Sequence, residues 1–193
     1  MRLRAAQVAG TYPDPGLLDV LVARCAVEPD FFVREMLTWA LTRFPAEITV
    51  PRLVVELRSE RAQARSQALH TLSKIGERAA WPAITRSLLH DADDEVARSA
   101  WRAAVVLVPD GERAELATEL LAELGRGDRD VRRSLSRALV ALSEAIEPGL
   151  RAALASDNPA VRAHAQATQR LRLDPDAAFD EGQRVVALGP RSC

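Results

Sequence analysis

Apolar residues recur along most of this chain with the spacing of one face of an α-helix. The pattern is clearest around Arg65, where Ala64, Ala68, Leu72 and Ile75 fall on one side of a helix with about 3.6 residues per turn. The same pattern returns about every thirty residues, which is typical of repeat architectures. The sequence therefore predicts a series of similar helical units and a secondary structure that is all helical.

An arginine marks the start of the pattern in four of its five copies. These copies begin at Val33-Arg34, Ala64-Arg65, Val131-Arg132 and Val161-Arg162. In the remaining copy Ala97 occupies the arginine position, and the arginine follows one place later as Arg98. With the marked position as origin, the steps between copies are 31, 32, 35 and 30 residues.

Capping residues predict where these helices begin and end. Four residues before the origin lie Asp30, Asp93, Asp128 and Asn158, whose side chains accept hydrogen bonds from the first backbone N–H groups of a helix. The second copy has Arg61 there, with Ser59 as a substitute nearby. Helix ends are indicated by Pro45, Gly76, Pro109, Ser143 and Asp174-Pro175.

A second helix precedes each of these helices, and proline opens it in most copies. The prolines are Pro15, Pro51, Pro82 and Pro148. The predicted fold is all-α, an α–α superhelix of about five antiparallel helix pairs in one domain, residues 1–193. The pairs occupy roughly 14–45, 46–76, 77–109, 110–143 and 144–173. Residues 174–193 are expected to form a capping helix with Phe179, Val185, Val186 and Leu188 on its apolar side.

Composition favours a soluble domain without catalytic chemistry. The chain has 193 residues, 48% of them hydrophobic, and a formal charge of −1. Cys25 and Cys193 are far apart and form no CxxC motif, which indicates a reducing, cytoplasmic setting, and neither a signal peptide nor a membrane span is expected. The three histidines do not have metal-ligand spacing, and the dipeptide His90-Asp91 lacks the partners of a metal phosphohydrolase, so no metal, cofactor or catalytic residue is predicted.

Two runs of residues carry a resemblance to a known family. The run Asp128–Arg132, followed by Leu135, Ala138 and Leu139, and the run Asp157–Arg162 with Ala165 resemble the second helix of short HEAT repeats. Such repeats belong to the armadillo-type solenoids and also occur in phycobilisome-lyase-like proteins. The resemblance covers about four fifths of the chain and identifies an architecture better than an activity, since HEAT-like solenoids include scaffolds, bilin lyases and alkylpurine DNA glycosylases.

The candidate binding residues lie one and five places after each origin, opposite the apolar stripe. They are Trp39, His70, Arg98, Arg102, Arg133 and Arg137, with Trp101 beside them. In HEAT solenoids the second helices line the concave surface, so the resemblance implies that these residues face a groove. The first helices are more acidic, so a chain close to neutral can still present a basic groove.

Three interpretations of this face remain open. A protein partner with an acidic segment would use tryptophan and arginine as anchors without any chemistry. A nucleic acid would contact the four arginines through phosphates and stack on Trp39 or Trp101, and Glu35 beside Trp39 is the only local candidate for base excision. The third interpretation is a solvated arginine surface. The net charge and a pI near 6.3 favour the protein partner, with nucleic acid as the alternative.

The marking arginines are expected to stabilise the repeats. Arg34, Arg65, Arg132 and Arg162 lie beside the apolar stripe, so each guanidinium is predicted to contact an aspartate or a carbonyl of an adjoining pair, in a ladder that includes the four capping residues.

Replacing one of these arginines tests the structural interpretation. We expect Arg132→Ala to lower the melting temperature more than it weakens any binding, because the guanidinium holds backbone or aspartate oxygens inside the repeat array. Thermal unfolding followed by circular dichroism measures this effect. An unchanged melting temperature would contradict the interpretation.

Overall fold

The structure of the chain is a computed structural model that describes residues 1–174. This part of the chain is mainly helical and contains no β-strand. The helices are α1 (Arg2–Thr11), α2 (Leu18–Cys25), α3 (Phe31–Leu41), α4 (Ala46–Glu56), α5 (Ala62–Ile75), α6 (Arg86–Leu89), α7 (Asp94–Leu107), α8 (Arg113–Leu121), α9 (Arg129–Ala141), α10 (Glu147–Leu154) and α11 (Pro159–Leu173). None of these helices is long and apolar enough to cross a membrane. The predicted capping helix, with Phe179, Val185, Val186 and Leu188, lies outside the described residues.

The chain divides into two compact units, Met1–Glu119 and Leu120–Cys193. In the first unit α3, α5 and α7 are the second helices of successive pairs, and they pack side by side in chain order. Near the start of α5 the Ser66 and Ser99 hydroxyls are 3.2 Å apart, and one turn later Arg102 reaches His70. Both contacts advance in the same direction along α5 and α7, so these two helices run parallel.

The same register recurs in the second unit. In the first unit the Thr38 and Thr71 hydroxyls are 3.4 Å apart, and in the second unit the Ser136 and Thr168 hydroxyls are 2.8 Å apart. In each case a residue four places after one origin meets a residue six places after the next origin. The fold class is therefore the predicted one, an all-α solenoid of helix pairs.

Small side chains let the second helices approach closely. Ala40, Ala100, Ala103 and Ala165 are completely buried, and Ala68 is nearly so. All five occupy the positions three or six places after an origin, where the sequence pattern predicts close packing. A larger side chain at any of them would separate two helices in a closely packed interior.

The predicted caps close the second helices. Asp30, Asp93, Asp128 and Asn158 each accept two backbone N–H groups from the first turn of α3, α7, α9 and α11, respectively. Gly76 ends α5 in the left-handed conformation, with φ of 73°, where a Cβ atom would be strained.

The first helices depart further from prediction. Pro51 does not open α4, because that helix begins at Ala46 and Pro51 lies inside it. In the third pair Pro82 lies inside a 3-10 helix, Arg78–Ala83, and α6 after it has only four residues. Pro148 and Pro159 occupy the first turns of α10 and α11 as expected.

Helix α1 was not predicted, and it behaves as the second helix of an incomplete pair. Near its start the Arg2 Nε atom lies 3.1 Å from the carboxylate of Glu28, which just precedes α3. Near its end a Cβ atom added to Gly10 would lie 2.7 Å from Ala40 Cα, close to the end of α3. Helices α1 and α3 are therefore parallel, like α5 and α7.

The carboxylate of Glu28 joins this additional helix to the first pair. Glu28 is completely buried, and its Oε2 atom accepts from Arg24 Nε at 2.8 Å while its Oε1 atom accepts from the Asp30 backbone N–H at 3.1 Å. Burial raises the pKa of Glu28, but the bonds from Arg24 and Asp30 and the charge of Arg2 lower it, and the net result is a pKa below the ordinary value.

This carboxylate should make the stability of the first unit depend on pH. The folded pKa of Glu28 lies below 4.5, so the unfolded chain takes up its proton first on acidification. The stabilisation is thus fully present above about pH 4.5 and is lost as pH falls further. We expect Glu28→Gln to have a lower melting temperature than the wild type at pH 7. Near pH 3 this difference should become small, as measured by thermal unfolding across this range.

The exposed Glu60 provides the control, since no described residue pairs with its side chain. Glu60→Gln should leave the melting temperature close to that of the wild type at both pH values. A constant difference between Glu28→Gln and wild type from pH 7 to pH 3 would show that the Glu28 charge does not support the fold.

Candidate functional site

The recurring arginines bind the turn within their own helix pair. Arg34 Nη1 donates to the carbonyls of Glu28 at 3.0 Å and Pro29 at 2.8 Å, six and five residues earlier. Arg65 Nη1 donates to the carbonyls at the same two offsets, Ser59 at 2.9 Å and Glu60 at 3.2 Å. Each guanidinium thus satisfies carbonyls of the turn that joins the first helix of a pair to the second.

The later copies follow the same plan. Arg162 donates to the carbonyl of Ser156, six residues earlier, and Arg132 Nη2 donates to Gly125 O at 3.1 Å, seven residues earlier. The expectation of contacts mainly to an adjoining pair is therefore wrong for these arginines, because the turn of the same pair lies within reach. We still expect them to act through the stability of the turns rather than through a ligand.

Arg65 is the arginine that does reach the next pair. Its Nε and Nη2 atoms donate to Asp91 Oδ2 and Oδ1 at 3.0 and 3.1 Å, a bidentate arrangement with both side chains largely buried. Asp91 lies six residues before Ala97. It therefore belongs to the turn that an arginine at position 97 would contact. The preceding repeat therefore places a guanidinium on this turn, although it binds a carboxylate there and not a carbonyl.

Trp39 lies on the exposed side of α3 in a fixed orientation. The side chain is partly exposed, with 39% of the residue accessible, yet one edge of its ring packs on α1. A Cβ atom on Gly10 would lie 2.4 Å from Trp39 Cζ3, so the ring rests directly on this glycine. The indole is consequently held by the scaffold while part of it faces solvent.

A chain of polar contacts links α3, α5 and α7, and its first member, Glu35, lies four residues before Trp39 on α3. Arg102 Nη1 lies 3.0 Å from His70 Nδ1. Since arginine can only donate, Nδ1 must accept and the proton of the neutral imidazole lies on Nε2. That atom is 3.2 Å from Glu35 Oε1, although without the alignment of a hydrogen bond. The second helices thus bring Glu35, His70 and Arg102 together.

Burial keeps this imidazole neutral. Burial lowers the pKa of His70, the nearby Glu35 carboxylate opposes that effect, and the positive charge of Arg102 lowers the pKa further. A neutral ring can accept from Arg102, so the chain of contacts is maintained at neutral pH.

Two of the predicted binding residues of α7 have different environments. Arg98 is partly exposed and pairs with Glu95 at 2.6 Å, one turn earlier on the same helix. Trp101 is completely buried and its Nε1 atom donates to Leu89 O at 2.8 Å. The placement of Trp101 on the binding face is therefore wrong, because four residues after the origin in this pair the side chain points between α6 and α7.

In the second unit Arg133 and Arg137 are both exposed on α9. Neither makes an ion pair or a side-chain hydrogen bond with another residue of the described segment 120–174. Arg129, four residues before Arg133, is exposed in the same way and was not among the predicted residues. Its spacing of four from Arg133 is the sequence signal that would have included it.

The other reactive side chains are occupied by structural contacts. His90 Nε2 lies 2.7 Å from Glu119 Oε2, and His164 is buried with its Nδ1 atom accepting from Gly125 N at 3.0 Å. Burial raises the pKa of the Cys25 thiol to about 12. Among residues 1–174 no group of three or more His, Cys, Asp or Glu side chains could hold a metal ion.

Comparisons with known proteins give the same architecture. Residues 29–105 match the sequence profile of HEAT repeats, a range that includes α3, α4, α5 and most of α7. The chain is also similar to the crystal structure of an engineered protein, with a TM-score of 0.51, 23% identity and 86% of each chain covered. At this identity the structural likeness concerns the fold alone. None of the curated proteins compared with the sequence matches it.

The contact between Gly10 and Trp39 can be tested by adding one methyl group. Glycine to alanine inside a helix normally stabilises by about 1 kcal/mol. Here the methyl group would overlap the indole and the α3 backbone, so we expect Gly10→Ala to lower the free energy of unfolding by about 1–3 kcal/mol. Denaturant unfolding monitored by tryptophan fluorescence measures both the loss and the displacement of the ring.

Gly111 offers the matched control, because a Cβ atom there would meet no other atom within 4 Å. Gly111→Ala should leave stability and fluorescence nearly unchanged. Stabilisation by Gly10→Ala would show that the ring does not rest on α1.

Proposed function

The chain is a HEAT-repeat protein, and from this premise we propose that it is a non-catalytic interaction module that binds another protein through the exposed side of its second helices. HEAT repeats generally mediate contacts between proteins. The proposal adds to this general role a binding surface and a partner with an acidic segment.

The observation that carries the proposal is the fixed, partly exposed indole of Trp39. Tryptophan and arginine dominate the energetics of protein interfaces, and an anchor that is already held by its scaffold loses little entropy on binding. Trp39 is held by Gly10, and the second helices beside it carry the joined side chains of Glu35, His70 and Arg102. This combination supports a surface prepared for a partner.

Charge supports an acidic segment on that partner. Arg102 is exposed and donates a hydrogen bond to the neutral His70 ring, and its positive charge is not neutralised by an ion pair among residues 1–174. In the second unit Arg133 and Arg137 are likewise without an acidic partner in the described segment. A carboxylate-rich segment would offset these charges and accelerate association.

The proposal is tested by using the purified chain to capture interacting proteins from the lysate of its source cells. Trp39→Ala and Arg102→Ala should each deplete the captured partner. With that partner purified, Trp39→Ala should raise the dissociation constant about thirtyfold, the effect of losing a strong anchor residue. Isothermal titration calorimetry measures the change.

Arg58→Ala is the matched control, because Arg58 is exposed and lies just after α4, a first helix. It should capture the same proteins as the wild type. Equal capture by wild type, Trp39→Ala and Arg102→Ala, with circular dichroism showing all three folded, would overturn the proposal. Capture of nucleic acid in place of protein would overturn it as well.

A further inference from the structure

Three arginines on α9 form a row without an acidic partner. Arg129, Arg133 and Arg137 are spaced four residues apart, so they lie on one side of the helix, and all three are exposed. Within the described segment 120–174 none of them makes an ion pair. We call these three residues the α9 row.

Other arginines of the same unit do have acidic partners. Arg126 Nη1 lies 2.7 Å from Glu123 Oε2, and Arg172 pairs with Glu147. Like charges four residues apart on a helix are unfavourable, so the α9 row opposes the stability of α9. In a unit where other arginines are paired, a negatively charged ligand on the α9 row would offset this repulsion.

The acidic groups next to the α9 row do not neutralise it. The Oδ1 atom of Asp128 accepts the backbone N–H groups of Asp130 and Val131 and so caps α9. Asp130 is exposed in the first turn and makes no ion pair with the α9 row. The guanidinium groups therefore remain available to an external anion.

The neighbouring second helix, α11, has short side chains on the surface beside the α9 row. Helix α11 packs against α9, and its residues at the positions matching Arg133 and Arg137 are Ala163 and Ala167, both exposed. On the same side of α11, Arg170 is exposed near the end of the helix. Small side chains allow the backbone of a helical partner to approach, with the arginines along one edge of the contact.

The spacing of the row indicates the form of the ligand. Four residues of an α-helix rise about 6 Å, so the three arginines extend over about 12 Å. A partner helix with a carboxylate at every fourth residue presents negative charges at the same interval. Alanine side chains offer no ring on which a nucleic-acid base could stack, which favours a polypeptide over a single-stranded nucleic acid.

We propose that the α9 row, together with the exposed alanines of α11, binds a partner helix that carries glutamate or aspartate side chains four residues apart. This inference rests on the proposed function and specifies the chemistry of the acidic segment. Each guanidinium pairs with one carboxylate, and the apolar face next to those carboxylates lies on Ala163 and Ala167.

Two synthetic peptides test this arrangement with the full chain. Both are alanine-rich, have the same number of glutamates, and are held helical by the same side-chain cross-link. In one peptide the glutamates occupy every fourth position, and in the other they are distributed around the helix. We expect the first peptide to bind about tenfold more tightly, as measured by fluorescence anisotropy.

Variants of the row identify the contact. Arg133→Ala and Arg137→Ala should each weaken binding of the first peptide about fivefold, the effect of losing one exposed ion pair. Arg151→Ala is the matched control, since Arg151 is exposed on the first helix α10 of the same unit. It should bind like the wild type. All three substitutions are at exposed positions, and circular dichroism verifies the fold of each variant.

Equal affinity for the two peptides, or equal effects of Arg133→Ala and Arg151→Ala, would overturn the inference. Duplex or single-stranded DNA that displaces the first peptide at physiological salt would also overturn it, because the row would then prefer phosphates. These outcomes are distinct from failure of the proposed function. A captured protein that is lost with Trp39→Ala but retained with Arg133→Ala and Arg137→Ala supports the module and refutes the acidic helix on α9.

Discussion

The close parallel packing of second helices is the constraint on which the other features of each unit depend. Completely buried alanines such as Ala40, Ala100 and Ala165 let neighbouring helices approach, and buried hydroxyl pairs such as Ser136 with Thr168 set the register. Apolar burial supplies most of the driving force, whereas the hydroxyl contacts select one alignment. Because this register is the same in both units, one side of every second helix is committed to packing.

The turns between helices need a different kind of support, since their carbonyls lie beyond the regular helical hydrogen bonds. Arg34 and Arg65 donate to the carbonyls six and five residues earlier, and in the first of these turns Asp30 also caps α3. Where Ala97 replaces the arginine, Arg65 of the preceding pair binds Asp91 in that turn. The recurring arginines Arg34 and Arg65 thus bind the turns of their own pairs, and we expect them to stabilise those turns.

The side of the second helices that faces away from the packing and from the turns is the surface that we propose for binding. In the first unit that side presents Trp39, held on Gly10, beside a neutral His70 that accepts from Arg102. In the second unit it presents arginines without acidic partners in the described segment. The two units thus present different side chains at equivalent positions of one repeat.

Local sequence determined much of this architecture. Three features depend only on neighbours within a few residues: the period of the apolar stripe, the capping residues from Asp30 to Asn158, and the left-handed Gly76. The all-helical secondary structure and the starts of the second helices could therefore be predicted. Features that depend on residues far apart in sequence were decided only by the tertiary structure. Helix α1 pairs with α3 through Glu28 and Gly10, Trp101 is buried against α6 although its helical position suggested the surface, and the recurring arginines bind their own turns. Helical periodicity gives the direction of a side chain from its own axis, but burial and partners depend on which other helix lies there, and that is set by packing across the whole unit.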